Sequence, residues 1–300
     1  MDKSIPAVVD MIEISGPQAA ASAAPDLLIE IPHGATRTTD FTSLESRLTS
    51  PLPEGLSDFF HVNTDAGAPE MGEALARELV KRKPAFKALI LRCLIPRTFI
   101  DCNRRIDASR EEFKAGKVTP GLMPWIVTDA DRGLLLQRYR QYTAVVRACA
   151  AQVMPKGAMV LMHTYAPRTV GVEVDLNIVK SLRAAYVKGV EETWPLRPEI
   201  DVISRDDTGK SWTNRAVFDA LKTQMHQIGI SVADSATYPM HQSTLAYNHV
   251  TTWPERVMCV EVRRDLLADP FVPFAEQKIS EVKAAKLAGP MANAFEQWWA

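Results

Sequence analysis

Three hundred residues, 46% of them apolar, are enough to bury a full core, and the chain reads as one domain spanning residues 1–300. Thirty-five basic residues against 36 acidic ones leave a formal charge of −1. That gives no global field to draw nucleic acid or a membrane surface and points to a small molecule read locally. The four cysteines show no C-x-x-C spacing and no apolar run reaches the roughly 18 residues of a membrane helix, so neither a disulfide framework nor a thiolate zinc knuckle is expected, and a cytoplasmic protein is.

Ala7 to Ile14 reads as a short strand and Pro17 to Pro25 as a surface loop. Leu27-Leu28-Ile29-Glu30-Ile31 is a buried strand that stops at Pro32-His33-Gly34, which brings an imidazole to the rim of a sheet. A lone histidine there more often caps a turn, so His33 gains weight only with company. Leu56 to Thr64 is an aromatic and polar mixture leading into Asp65, and Ala68 to Lys83 has helical periodicity, with Asp65 near the helix start.

Phe86 to Leu94 is a second buried strand, and Thr98 to Ile100 a short one running into Asp101-Cys102-Asn103-Arg104. The segment 107–127 is long enough to serve as a lid rather than a plain connection. Thr128 to Val153 is the longest helix, opened by a Thr-x-x-Asp capping pattern. Gly157 to Thr164 repeats the first motif, an apolar run ending in His163. Downstream come a strand over Ile200 to Ser204, a helix over Ser211 to Gly229, a short strand over Ile230 to Ala233, and an irregular stretch, 234–255. Arg256 to Val262 is a further strand carrying Glu261, and Pro273 to Trp299 a closing helix whose Trp298 and Trp299 dock on the body. Alternating strands and helices make a layered α/β domain.

Two imidazoles and a carboxylate are a ligand set for a catalytic zinc that keeps a position open for water, and His33, Asp65 and His163 supply it. Glu261, an acid within Val, Met and Cys, suits a general base with a raised pKa; alternation to solvent or pairing with Arg263 explains it equally well. Asn103 and Arg104 offer an amide donor and a bidentate fork for a substrate carboxylate, with Arg97 and Arg263 in support; a surface salt bridge to Asp101 is the ordinary alternative. His241 and His249 fit a surface loop better than a site, and Arg168 can reach a second carboxylate.

In this order, Ile31-Pro32-His33-Gly34-Ala35, His61 through Asp65 to Ala68, Arg97 through Asp101-Cys102-Asn103-Arg104, His163, and Val260-Glu261-Val262-Arg263-Arg264-Asp265 resemble the N-formylglutamate amidohydrolase family. The resemblance spans residues 27–267. It implies a three-layer α/β/α sandwich with a central mixed sheet, similar to zinc carboxypeptidases. It also implies a zinc-activated water attacking the amide of an N-formyl or N-acyl acidic amino acid, with Glu261 as base and Asn103 with Arg104 on the carboxylate. Zinc in that superfamily usually takes a His-x-x-Glu pair, whereas Thr36 stands at that position here. Asp65 is the substitute ligand, with Glu70 and His61 as alternatives. A carboxylate-binding protein without catalysis, or a related peptidase or deacylase, remains open on the same scaffold.

Overall fold

The computed structural model describes residues 4–116, 118–154 and 156–300. Seven strands form one mixed sheet: β1 (Val9–Ser15), β2 (Leu27–Ile31), β3 (Lys87–Cys93), β4 (Ala158–Tyr165), β5 (Ile200–Val202), β6 (Val232–Asp234) and β7 (Val257–Arg263), in the spatial order β1-β3-β2-β4-β7-β5-β6. The β3-β2-β4-β7 centre is parallel, and β1 and β5 add antiparallel pairs on either side of it. Every residue of β2, β3 and β4 is buried, as expected for parallel strands covered on both faces.

Helices α3 (Ala68–Arg82), α7 (Arg215–His226) and α9 (Glu281–Phe295) pack on one face, where Ile29, Ile31, Val160 and Val260 meet Met71, Leu75, Leu221 and Leu287. The other face is covered by α1 (Thr38–Glu45), α2 (Leu56–Asn63), α5 (Asp129–Val153), α6 (Ile178–Ala185) and α8 (Leu245–Thr252), with Phe41, Phe60, Trp125 and Tyr142 at its centre. This is the three-layer sandwich that the motif resemblance implies.

Local chemistry explains where elements depart from the sequence expectation. Thr98 to Ile100 is a turn, with Phe99 and Ile100 donating back to Pro96, and only Ile100 bridges to Leu122. The stretch before Asp65 is the helix α2, and the stretch 234–255 contains α8. The last helix begins at Glu281, where Ser280 accepts from the Lys283 amide at 3.3 Å, rather than at Pro273. Thr128 caps α5 as expected, but the Asp131 carboxylate turns outward and accepts from the Thr49 and Ser50 amides. Trp298 donates to the Glu255 carbonyl at 2.9 Å and Trp299 sits edge-on to Phe86, so the C-terminal tryptophans do dock on the body. Neither late histidine is a free surface group: His241 is buried and bonded to Ser243, and His249 is half-buried and stacks on Trp253.

One buried acid stands apart from the site. Glu30 on β2 accepts from the Tyr142 hydroxyl at 2.9 Å, and His249 Nε2 lies 3.5 Å from its other oxygen. Burial raises the Glu30 pKa to about 7, only partly opposed by the Tyr142 hydrogen bond. The folded protein therefore holds a proton that the unfolded chain releases near pH 4.5, and stability from this group falls as pH climbs from there through about 7. Between pH 4.5 and 8, wild type should lose about 3 kcal/mol more than Glu30→Gln. Urea unfolding of both proteins across that range measures the difference. His249, pushed down by burial to about 4, works in the opposite sense on the acid side in both proteins and leaves that comparison intact.

Candidate metal and catalytic site

The site forms at the carboxyl ends of the parallel strands. His33 follows β2 by two residues, in the turn that Pro32 begins. Gly34 is required there by close packing: a Cβ would fall 2.6 Å from Arg92 Cγ and 3.1 Å from the Cys93 carbonyl oxygen. His163 lies on β4 itself, directly opposite Glu261 in the β4–β7 register. Residues opposed in a parallel pair project to the same face, so the ladder itself sets acid beside imidazole. Asp65 precedes α3, whose N-cap Gly67 has a φ of +93° and packs so tightly that a Cβ would lie 2.8 Å from Leu267.

Asp65 Oδ2 lies 3.2 Å from His33 Nδ1 and 2.9 Å from His163 Nδ1. One potential ligand atom from each of the three residues falls within 4.8 Å of the others, and all three side chains are buried. His61 and Glu70 do not join this group. The second nitrogen of His33 meets Asp101 Oδ1 at 2.8 Å. Asp101 is in turn held by Arg97 at 2.8 Å and Arg104 at 3.4 Å. Burial would raise both aspartates, but the neighbouring histidines outweigh it at Asp65, and Arg104, His33 and Arg97 outweigh it at Asp101, so both stay ionised well below the usual carboxylate range.

The donor set fits a divalent ion. Two imidazoles and one carboxylate, sealed from solvent, match the catalytic zinc pattern. The Asp101–His33 contact is the carboxylate support that orients a ligating imidazole. His163 Nε2 and Glu261 Oε2 are buried without a hydrogen-bond partner, so the site holds polar capacity that the protein does not satisfy by itself. Burial lifts Glu261 to about 7, partly offset by His163.

Two cavities meet at Glu261 and Arg97. The smaller, about 140 Å³, is lined by His33, His163, Asn103 and Arg104; the larger, about 500 Å³, reaches past Asp65 and Arg264 toward α6. Asn103 Oδ1 accepts from the Ala246 amide at 3.0 Å, which fixes the flip and leaves its NH2 to face elsewhere. Arg104 is buried and donates to the Thr119 and Asn103 carbonyls. Segment 107–127 contributes Phe113, Val118 and Thr119 to the cavity walls, partly through a short helix, α4 (Arg110–Ala115).

Arg263 is the exception among the residues singled out from the sequence. It pairs with Asp265 at 2.8 Å and donates to the Arg197 carbonyl, and it lines neither cavity. Its neighbour Arg264 is buried there instead, 3.9 Å from Asp65 and bonded to the Val62 carbonyl, with burial lowering its pKa to about 10. Arg197 was not foreseen either, since its position before β5 carries no motif. Arg168 does reach the larger cavity.

No protein-family model and no curated protein matches the chain. Two of the solved structures it resembles share its fold. An N-formylglutamate amidohydrolase from Ralstonia eutropha superposes with a TM-score of 0.60 at 13% identity, covering 97% of this chain and 99% of that one. A gene product from Agrobacterium tumefaciens gives 0.55 at 17% identity, covering 97% and 94%. A metallo-carboxypeptidase from Burkholderia cenocepacia aligns at 0.40 and 12% identity over 96% of this chain and 60% of that one. Among the described residues, no helix is long and apolar enough to cross a membrane.

Proposed function

We propose that the protein is a metal-dependent amidohydrolase acting on an N-acyl amino acid. The observation that carries this reading is the convergence of His33, Asp65 and His163 on one point with Glu261 directly opposite His163 on the neighbouring strand. The motif resemblance and a fold shared with a protein named N-formylglutamate amidohydrolase support it. His33, Asp65 and His163 would hold the ion, with zinc the best match to the donors. A bound divalent ion supplies a Lewis acid for the carbonyl and makes a nucleophile available at neutral pH.

The chain's own residues do the rest. Glu261, half-buried and with one oxygen unpartnered, takes the proton of the attacking water and returns it to the departing amine nitrogen. Arg97, at the junction of the two cavities, faces the oxygen on which negative charge develops. Asn103 and Arg104 hold the amino-acid carboxylate in the smaller cavity.

Metal analysis of the purified chain should find about one zinc per molecule. A chelator should abolish hydrolysis of N-acyl amino acids, and added zinc should restore it. Full turnover after removal of the metal would reject the reading. Ligand binding with no turnover at any metal loading would favour a carboxylate-binding protein instead.

A further inference from the structure

The larger cavity bears on the acyl half of the substrate. With the carboxylate held by Asn103 and Arg104 in the smaller cavity, the scissile amide spans the junction at Glu261 and Arg97, and whatever the amine carries extends into the 500 Å³ space. At about 30 Å³ per water, that volume holds on the order of fifteen water molecules. A formyl group, which ends in a hydrogen atom, would leave it flooded and contribute no binding energy there. Cavities of this size enclose ligands with several carbon atoms.

The walls say what kind of group. Val170, Val172, Ile178 and Leu182 give the cavity an apolar side suited to methylenes. Arg168 and Arg197 also line it, and neither forms an ion pair among the described residues. Arg197 stacks on the rings of Tyr165 and Tyr238, at 5.0 and 5.7 Å, and among the described residues its guanidinium donates to Thr169 Oγ1 and the Ala166 carbonyl alone. Among the described residues, the Arg168 guanidinium donates to the Trp194 carbonyl alone. The acids around the cavity are committed: Asp65 and Glu261 stand at the reacting end, and Glu173 pairs with Arg110 at the exposed rim. Two guanidinium groups fixed by neutral oxygens, with donors to spare, are a receptor for an anion.

We infer that the substrate's acyl group is a short carbon chain ending in a carboxylate, so that the protein removes a dicarboxylic acid monoacyl group rather than a formyl group. This inference rests on the amidohydrolase reading for the direction in which the substrate lies. The apolar wall takes the methylenes, Arg168 and Arg197 take the terminal carboxylate, and water adds across the amide to release the free dicarboxylate and the amino acid.

The test uses the full chain supplied with zinc and a set of glutamate amides that differ only in the acyl group: formyl, pentanoyl and glutaryl. The glutaryl compound should show a kcat/KM about tenfold or more above both others, the worth of one charge-assisted contact. Arg168→Gln and Arg197→Gln should shrink the glutaryl-to-pentanoyl ratio by about the same factor. Best turnover of the formyl compound, equal turnover of glutaryl and pentanoyl, or an equal loss on all three substrates in the variants would overturn the inference while leaving amide hydrolysis standing. Should none of the amides be cleaved, the amidohydrolase reading fails, and calorimetry with glutarate and pentanoate then decides the subsite. Glutarate binding at least about tenfold tighter, with that preference lost in both variants, supports it, and equal binding overturns it.

Discussion

Glu261→Gln should lower amide turnover by about two to four orders of magnitude, the usual contribution of a positioned general acid and base. Glutamine keeps the volume and one acceptor but cannot take up a proton. The substitution leaves His33, Asp65 and His163 in place, so zinc content measured by metal analysis should match wild type, and substrate binding should change far less than kcat. Stopped assays over long incubations measure the residual rate. A variant that retained a quarter of the wild-type kcat would show that the proton is moved by another group, and the pairing of Glu261 with His163 across β4 and β7 would then be structural only.

Asp65→Asn tests the ion site itself. Asp65 Oδ2 is the atom on which both imidazoles converge, and its other oxygen faces Arg97 at 3.5 Å and Arg264 at 3.9 Å. Asparagine preserves the shape and deletes the charge that makes this oxygen a ligand. Zinc affinity should fall by more than about 100-fold, beyond the range seen when only a supporting partner is lost. Metal content after dialysis should drop to near zero, and the rise in melting temperature that zinc gives wild type should vanish. Glu70→Gln and His61→Gln should keep wild-type zinc content. If Asp65→Asn retained its zinc while either of those lost it, the ligand set would have to be redrawn.

Much of this arrangement is legible in the residues because strands in a parallel sheet announce themselves. Leu27 to Ile31, apolar but for Glu30, and Ala158 to Met162 are buried runs, and the imidazole that follows each one comes at the carboxyl end of its strand. Glu261 stands out for the same reason, as a charge inside Val, Met and Cys. Asp65 could be placed because helical periodicity begins at Ala68, just after it. What could not be read is anything decided by side-chain direction at the end of an element. Arg263 and Arg264 are adjacent and chemically alike, and only the turn after β7 sends one to Asp265 and the other beneath Asp65. The contact between His33 and Asp101 joins residues 68 positions apart, and Asp101 alone reads as a partner for its arginines. Arg197 owes its place to two tyrosine rings from elsewhere in the chain, which no local pattern foretells.

The opposition of His163 and Glu261 also constrains how such a chain can change. His163 and Glu261 form one rung of a hydrogen-bonded ladder, so deleting a single residue from Val257–Val260 while the upstream pairing held would swap inward and outward positions along the rest of β7. A valine would then stand where the acid belongs, and the carboxylate would be driven into the hydrophobic layer beneath α9. Point substitutions can adjust the reacting end, but length changes in this strand are closed to it. The loops that wall the cavities carry no such bond-by-bond constraint, and variation in what the molecule accepts is free to accumulate there.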